Sequence, residues 1–168
     1  MSRGKKKNLK AEKKLKQAFE ANKDLRSYGL RAEVVEEKAR LQGVVDTLIE
    51  KERATALAQN MPGIEKVENA ISISTDGPIT DGEVEFEVSE ELAKAPEVNP
   101  RHIWAESYRG TAILKGETSR PEEIEAARRA AAKARGVKEV LTQVKLKEPP
   151  TTLEDIFHSQ VRNDKENT

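Results

Sequence analysis

The chain writes one pattern twice. Leu41-Gln42-Gly43, a helical run, and Gly63-Ile64-Glu65-Lys66-Val67 leading to Ile71 and Ile73 form the first copy. Leu114-Lys115-Gly116, a second helical run, and Gly136-Val137-Lys138-Glu139-Val140 leading to Val144 and Leu146 form the second, with every matched pair 73 positions apart and no gap. Ungapped agreement at two glycines and several apolar positions settles the architecture before any element is named: two copies of one module in tandem. Each copy takes roughly 65–70 residues, a size that folds alone around a small core.

That core must be aliphatic, because charged residues make up 36% of the chain and aromatic residues only 4%. Net charge is zero, so there is no whole-molecule field to hold a nucleic acid or an anionic surface. The charge is uneven along the chain, however. Arg3, Lys5, Lys6, Lys7, Lys10, Lys13, Lys14 and Lys16 stand against the single acid Glu12 at the start. With no cysteine, disulfides, zinc-thiolate sites and thiol chemistry are excluded. The basic start has no apolar signal core, and no run approaches the ~20 apolar residues of a membrane span. The expectation is a cytoplasmic protein that meets a membrane, if at all, at its periphery.

Along the chain, residues 1–9 read as a basic disordered arm. Leu9, Leu15, Ala18, Phe19 and Leu25 then recur at helical spacing, predicting an amphipathic helix over 10–24 with a lysine-rich outer face. Leu30, Ala32 and Val34 alternate with charged neighbours as a strand does. A polar turn near Glu36-Glu37, looser than an Asn-Gly hairpin, leads to Ala39 and Leu41, and Gly43 marks the expected strand end. Asp46-Thr47 caps a helix reaching Asn60, with Ile49, Ala54, Leu57, Ala58 and Met61 inward. Pro62-Gly63 stops it, and Ile64, Val67, Ile71 and Ile73 supply a third strand.

A linker over 75–79 precedes the second copy. Its capping box Thr80-Asp81-Gly82-Glu83 opens a helix with Val84, Val88 and Leu92 inward. Ile103, Ala105 and Ser107 repeat the inward phase of the first strand, and Ala112 and Leu114 that of the second. Pro121 starts an alanine-rich helix with Ile124, Ala127, Ala130, Ala131 and Ala134 inward, and Val137, Val140, Val144 and Leu146 close the module. Residues 148–168 form a tail in which Leu153, Ile156 and Phe157 predict a short helix over Thr152–Val161. The fold class is therefore α+β: two α-β-β-α-β modules, 10–74 and 80–147, each a three-stranded sheet with two helices on one face, plus the short C-terminal helix.

This pattern resembles the BON domain, named for bacterial OsmY and nodulation proteins, an α-β-β-α-β module often found in tandem. The resemblance rests on Leu-x-Gly closing the hairpin, the alanine-containing helix, and Gly-[Ile/Val]-x-x-Val before the last strand, with Asn69 also fitting in the first copy and Thr142 standing there in the second. It implies a non-catalytic module that binds phospholipid or another partner, mostly in the bacterial envelope. One cytoplasmic relative joins a BON domain to a LysM domain and senses potassium. Here a second BON-like copy stands where that relative has LysM, and no export signal is evident.

No enzyme constellation, cofactor loop or metal-ligand spacing is visible: the only histidines are His102 and His158, and neither Walker nor dinucleotide glycine loops occur. A KH-type Gly-x-x-Gly loop is also missing, which argues against specific nucleic-acid reading. One cluster stands out. If Ile103, Ala105 and Ser107 face inward, then Trp104, Glu106 and Tyr108 face outward, His102 joins them by alternation, and Arg101 and Arg109 flank the set. Aromatic residues beside arginine on an uncovered sheet face are the composition of a contact surface. Packing against the first module, the C-terminal helix or another copy of the chain would account for them equally. Lys10, Lys13 and Lys14 on the first helix form a second candidate surface. Three readings follow: attachment to anionic phospholipid or an envelope component; a scaffold whose open sheet faces bind a protein partner or a second copy; and a cytoplasmic potassium-responsive protein.

Overall fold

The computed structural model describes residues 6–74, 77 and 79–148. Helix α1 (Leu9–Ala21) and a 3-10 turn (Arg26–Tyr28) precede the hairpin β1 (Arg31–Val35) and β2 (Lys38–Val45); helix α2 (Leu48–Gln59) leads to β3 (Lys66–Ile73). The second module repeats this as α3 (Asp81–Lys94), β4 (Ile103–Tyr108), β5 (Thr111–Thr118), α4 (Pro121–Ala132) and β6 (Glu139–Leu146). Each sheet has its middle strand antiparallel to the first and parallel to the last, in the orders β1-β2-β3 and β4-β5-β6. The 73-residue offset holds for pairing as well as for sequence: Arg31 opposite Gln42 becomes Trp104 opposite Lys115, and Lys38 opposite Lys66 becomes Thr111 opposite Glu139.

Both helices of a module cover one face of its sheet, the face on which the buried apolar residues lie. In the first module Leu15, Phe19, Val34, Leu41, Ala54, Ala58 and Ile71 are buried together. In the second, Val84, Val88, Leu92, Ile103, Leu114 and Val137 pack under an α4 whose Ala126, Ala127, Ala130, Ala131 and Ala132 are all buried. Ile124, expected among them, is only half-buried, and Leu146 at the sheet end is exposed. The alanines go beyond one stripe because α4 also meets the first module, where Leu48, Ile49 and Ile73 join the second module's core. Arg128 on α4 pairs across this contact with Glu52 on α2, N to O 3.0 Å, and with its own helix's Glu125 at 2.8 Å.

Four expectations change. The hairpin turn is tight: Val35 pairs with Lys38, so Glu36 and Glu37 alone reverse the chain, with Glu36 at φ 57°. Gly43 does not end its strand, since β2 continues to Val45. It stands where the start of the hairpin crowds the backbone, and a Cβ there would lie 2.6 Å from Leu30 Cδ2. At Gly116 the crowding is by backbone, with a Cβ placed 1.9 Å from the His102 carbonyl oxygen. Lys6 to Asn8, expected in a disordered arm, are bonded to the hairpin: the Asn8 N–H donates to the Val34 carbonyl (2.7 Å), and the Glu36 N–H donates to that of Lys6 (2.8 Å), extending the sheet past β1. Finally, α1 runs Leu9–Ala21, shorter than 10–24, and Ala11 is buried where Leu9 is exposed. The expected helix over Thr152–Val161 lies outside the described residues.

Candidate functional site

The uncovered face of the second sheet is a grid set by strand register. Trp104, Lys115 and Gln143 make one row across β4, β5 and β6; Glu106, Ile113 and Leu141 the next; Tyr108, Thr111 and Glu139 the third. Trp104 is 51% exposed, Tyr108 60% and Leu141 43%. The Lys115 ammonium reaches Glu106 at 2.8 Å, so these two charges offset each other, while Glu139 adds a negative charge in the third row. The indole of Trp104 leans over Gly116, where a Cβ would stand 3.1 Å from Cζ3. The repeated glycine thus leaves room for the aromatic ring as well as for the hairpin backbone.

Arg109 belongs to this surface. It occupies the two-residue turn between β4 and β5 at φ 49°, its backbone N–H donates to Asp81 at 2.9 Å, and its guanidinium carbon stands 5.4 Å from the centre of the Tyr108 ring. That is a cation–π distance. Arg101 is exposed in the turn entering β4, its N–H bonded to the Asn99 side chain at 2.9 Å.

His102 does not join the set. It lies one residue before β4, and its Nδ1 is 3.0 Å from Glu123, the third residue of α4. Alternation fails there because the strand has not yet begun. Glu123 is 3% exposed and also accepts from the Asn99 N–H at 2.7 Å and from the Thr118 hydroxyl. Burial pushes its carboxyl upward, but the bonds from Thr118, Asn99 and His102 outweigh that and hold it below the usual carboxylate range. The histidine is therefore part of a structural knot that ties the loop before β4 to the start of α4.

Lys10, Lys13 and Lys14 are exposed on α1, which packs on the covered side of the first sheet, so the fold does not bring them to the aromatic face. Lys13 instead borders a groove of about 590 Å³ between α1 and β1, with Leu9, Lys16, Phe19, Arg26 and Arg31.

Sequence reasoning missed Ile113 and Leu141. The signal was available in the offset: their counterparts in the first module are Arg40 and Glu68, and Trp104 and Tyr108 replace Arg31 and Val35. It also missed Phe86, which is 61% exposed on the outer side of α3. Among the described residues no helix is long and apolar enough to cross a membrane.

Comparison with known proteins agrees with the tandem reading. No curated protein sequence matches the chain. Among solved structures, it is similar to CdsD, a structural protein of the type III secretion system of Chlamydia trachomatis, with 13% identity over 91% of this chain and 68% of that one and a TM-score of 0.39. A structure of the C-terminal domain of CdsD gives 13% identity over 83% of this chain and 67% of that one, with a TM-score of 0.34. The BON domain matches twice, over residues 8–75 and 80–148, taking in both modules and most of the sequence. The chain belongs to the BON domain family.

Proposed function

We propose that the protein is a non-catalytic attachment module that holds a phospholipid surface through the open face of its second sheet. The observation that carries this reading is the grid of Trp104, Tyr108 and Leu141, exposed, with Ile113 half-buried among them, where the equivalent face of the first module carries Arg31, Val35, Glu68 and Arg40. Indole and phenol rings have an apolar body and a polar edge, which suits the boundary between headgroups and acyl chains. Arg109 at the margin of the rings supplies charge for anionic headgroups. Membership of a family of binding modules supports the same reading.

The test is co-sedimentation with vesicles of anionic lipid at low salt, beside vesicles of zwitterionic lipid. Ile113→Arg with Leu141→Glu, which writes a first-module pattern onto the second face, should lower binding about tenfold, equivalent to about 1.4 kcal/mol. Absence of binding to either vesicle at low salt sinks the proposal.

A protein partner or an envelope component is the other occupant of such a face, and the same double substitution would abolish its capture while vesicles stayed unbound. The potassium-responsive reading rests on the family resemblance alone.

A further inference from the structure

Each sheet has two outer strands, and an outer strand presents a row of backbone N–H and C=O groups with which another strand can pair. On three of these edges the chain itself takes up such groups. On β1 the Val34 N–H donates to the Glu12 carboxylate at 2.9 Å, and the Val34 carbonyl accepts from Asn8 at 2.7 Å. On β4 the Ser107 N–H donates to Glu85 at 2.8 Å. On β3 the Ile71 N–H donates to the Asn69 side chain at 2.9 Å, and that amide is anchored on α2 by donating to the Lys51 carbonyl at 3.0 Å.

Strand β6 differs. The repeat puts Thr142 where the first module has Asn69, and among the described residues nothing bonds to the outward backbone groups of Val140, Thr142 or Val144. These residues point outward because their alternates face β5: the Glu139 N–H donates to the Gly110 carbonyl at 3.3 Å, and the Lys147 N–H to that of Thr118 at 2.7 Å. The strand is 8 residues long with neither proline nor glycine, and Thr142, Gln143 and Lys145 are exposed along it.

Its charges select the partner. Residues opposite one another in a sheet share a face, so two copies of β6 related by a two-fold axis must set one residue opposite itself. With Thr142 on the axis, Glu139 meets Lys145 at both ends of the open face, and Val140 meets Val144 on the covered face. The outward-pointing residues then oppose each other as hydrogen-bonded pairs, each exchanging both N–H···O bonds. Moving the axis to Gln143 sets Lys145 opposite Leu141 and Glu139 opposite Lys147, which Glu117 already holds at 2.7 Å.

We propose that two copies of this chain join edge to edge through antiparallel β6 strands, with Thr142 on the two-fold axis, making one continuous sheet from two. The contact is isologous and closes on itself. It sets both open faces on the same side, with their Trp104 rings about 24 Å apart across the strands at the usual spacing of about 4.8 Å. A gain in vesicle binding from that pairing of faces rests on the attachment reading; the joining of the strands does not.

Sedimentation equilibrium of the full chain, from micromolar to near-millimolar concentration, should show monomer and dimer in exchange. Thr142→Pro removes an outward N–H and leaves the ladder to β5 intact, so it should leave a monomer whose circular dichroism matches that of the unaltered chain. Lys145→Glu sets acid against acid at both ends and should weaken association roughly tenfold. The double variant E139K/K145E reverses both charges and should restore it, a comparison that holds even where the proline unfolds the module. A full chain that stays monomeric throughout overturns the proposal. So does association that survives Thr142→Pro, and so does a double variant that associates no better than Lys145→Glu alone. All of this is read without vesicles, so failure of the pairing and failure of the attachment are separate results.

Discussion

The two modules share register, helix placement and glycine positions, yet they solve two local problems differently. The first is the approach to the hairpin. In the first module the loop before β1 is fastened by Tyr28, whose hydroxyl donates to Asp46 at 3.0 Å. Burial and that bond raise the Tyr28 hydroxyl above the usual phenol range. In the second module the same loop is fastened from the other side, by the buried Glu123 with His102, Asn99 and Thr118. The second problem is the open face, charged in one copy and aromatic in the other. The scaffold is therefore held by backbone geometry common to both copies, and the side chains that differ are free to take on contact roles.

The largest test of that division sets one glycine against its repeat. Gly116→Ala forces a Cβ into the His102 carbonyl at 1.9 Å, whereas Gly43→Ala meets the flexible end of Leu30 at 2.6 Å. Both positions have φ between +120° and +145° in which an L-residue is strained, 125° and 142° respectively. Strain alone costs on the order of 1–3 kcal/mol, and a backbone clash that must be relieved by moving the hairpin adds to it. Chemical unfolding should show Gly116→Ala destabilising by about 4 kcal/mol or more and Gly43→Ala by about 2 kcal/mol. Equal losses would mean that the two hairpins are crowded alike.

Next comes Glu123 against its repeat, Glu50. Glu123→Gln removes a buried charged acceptor from three donors, with an expected loss of about 2–3 kcal/mol. Glu50 accepts the Thr47 N–H at 2.9 Å, as a capping box does, and Glu50→Gln should lose about 0.5–1 kcal/mol. The pH dependence follows from the sign of the shift. The folded Glu123 carboxyl lies below its ordinary 4.5, so its contribution is present above that value and disappears as pH falls through the lowered one. The gap between wild type and Glu123→Gln should therefore close as unfolding is measured at progressively lower pH from 4.5. A gap that stays constant would show that the glutamate acts by packing and not by charge.

These contrasts mark what the sequence could and could not convey. The repeat, the order of elements, the inward phase of each strand and the capping box at Thr80 were all legible, because a sheet with one covered face imposes a period of two and a helix one of 3.6. The tight Glu36-Glu37 turn was not, since glutamate at φ 57° is unusual and no turn residue announces it. The tie between His102 and Glu123 was hidden because its partners are 21 positions apart, and local alternation carries no information about such pairs. Trp104 and Tyr108 were legible as outward residues from alternation alone. Ile113 and Leu141 became part of the same surface only once strand order put β5 between β4 and β6.

The smallest effect lies at the contact between the modules. Arg128 joins Glu52 on the first module and Glu125 on its own helix, with a third or more of each partner's side chain exposed. Solvent screens such pairs, so Arg128→Ala should destabilise by less than about 1 kcal/mol, and the loss should shrink as salt is added. A double-mutant cycle with Glu52→Ala isolates the cross-module share from the bond to Glu125. A coupling of a few tenths of a kcal/mol that fades with salt places the holding power in Leu48, Ile49 and Ile73, which sit in the second module's core. Leu48→Ala should then weaken the second module although Leu48 belongs to the first. If instead the Arg128–Glu52 coupling resists high salt, the ion pair is shielded by the contact, and the two modules are fastened by charge as well as by apolar packing.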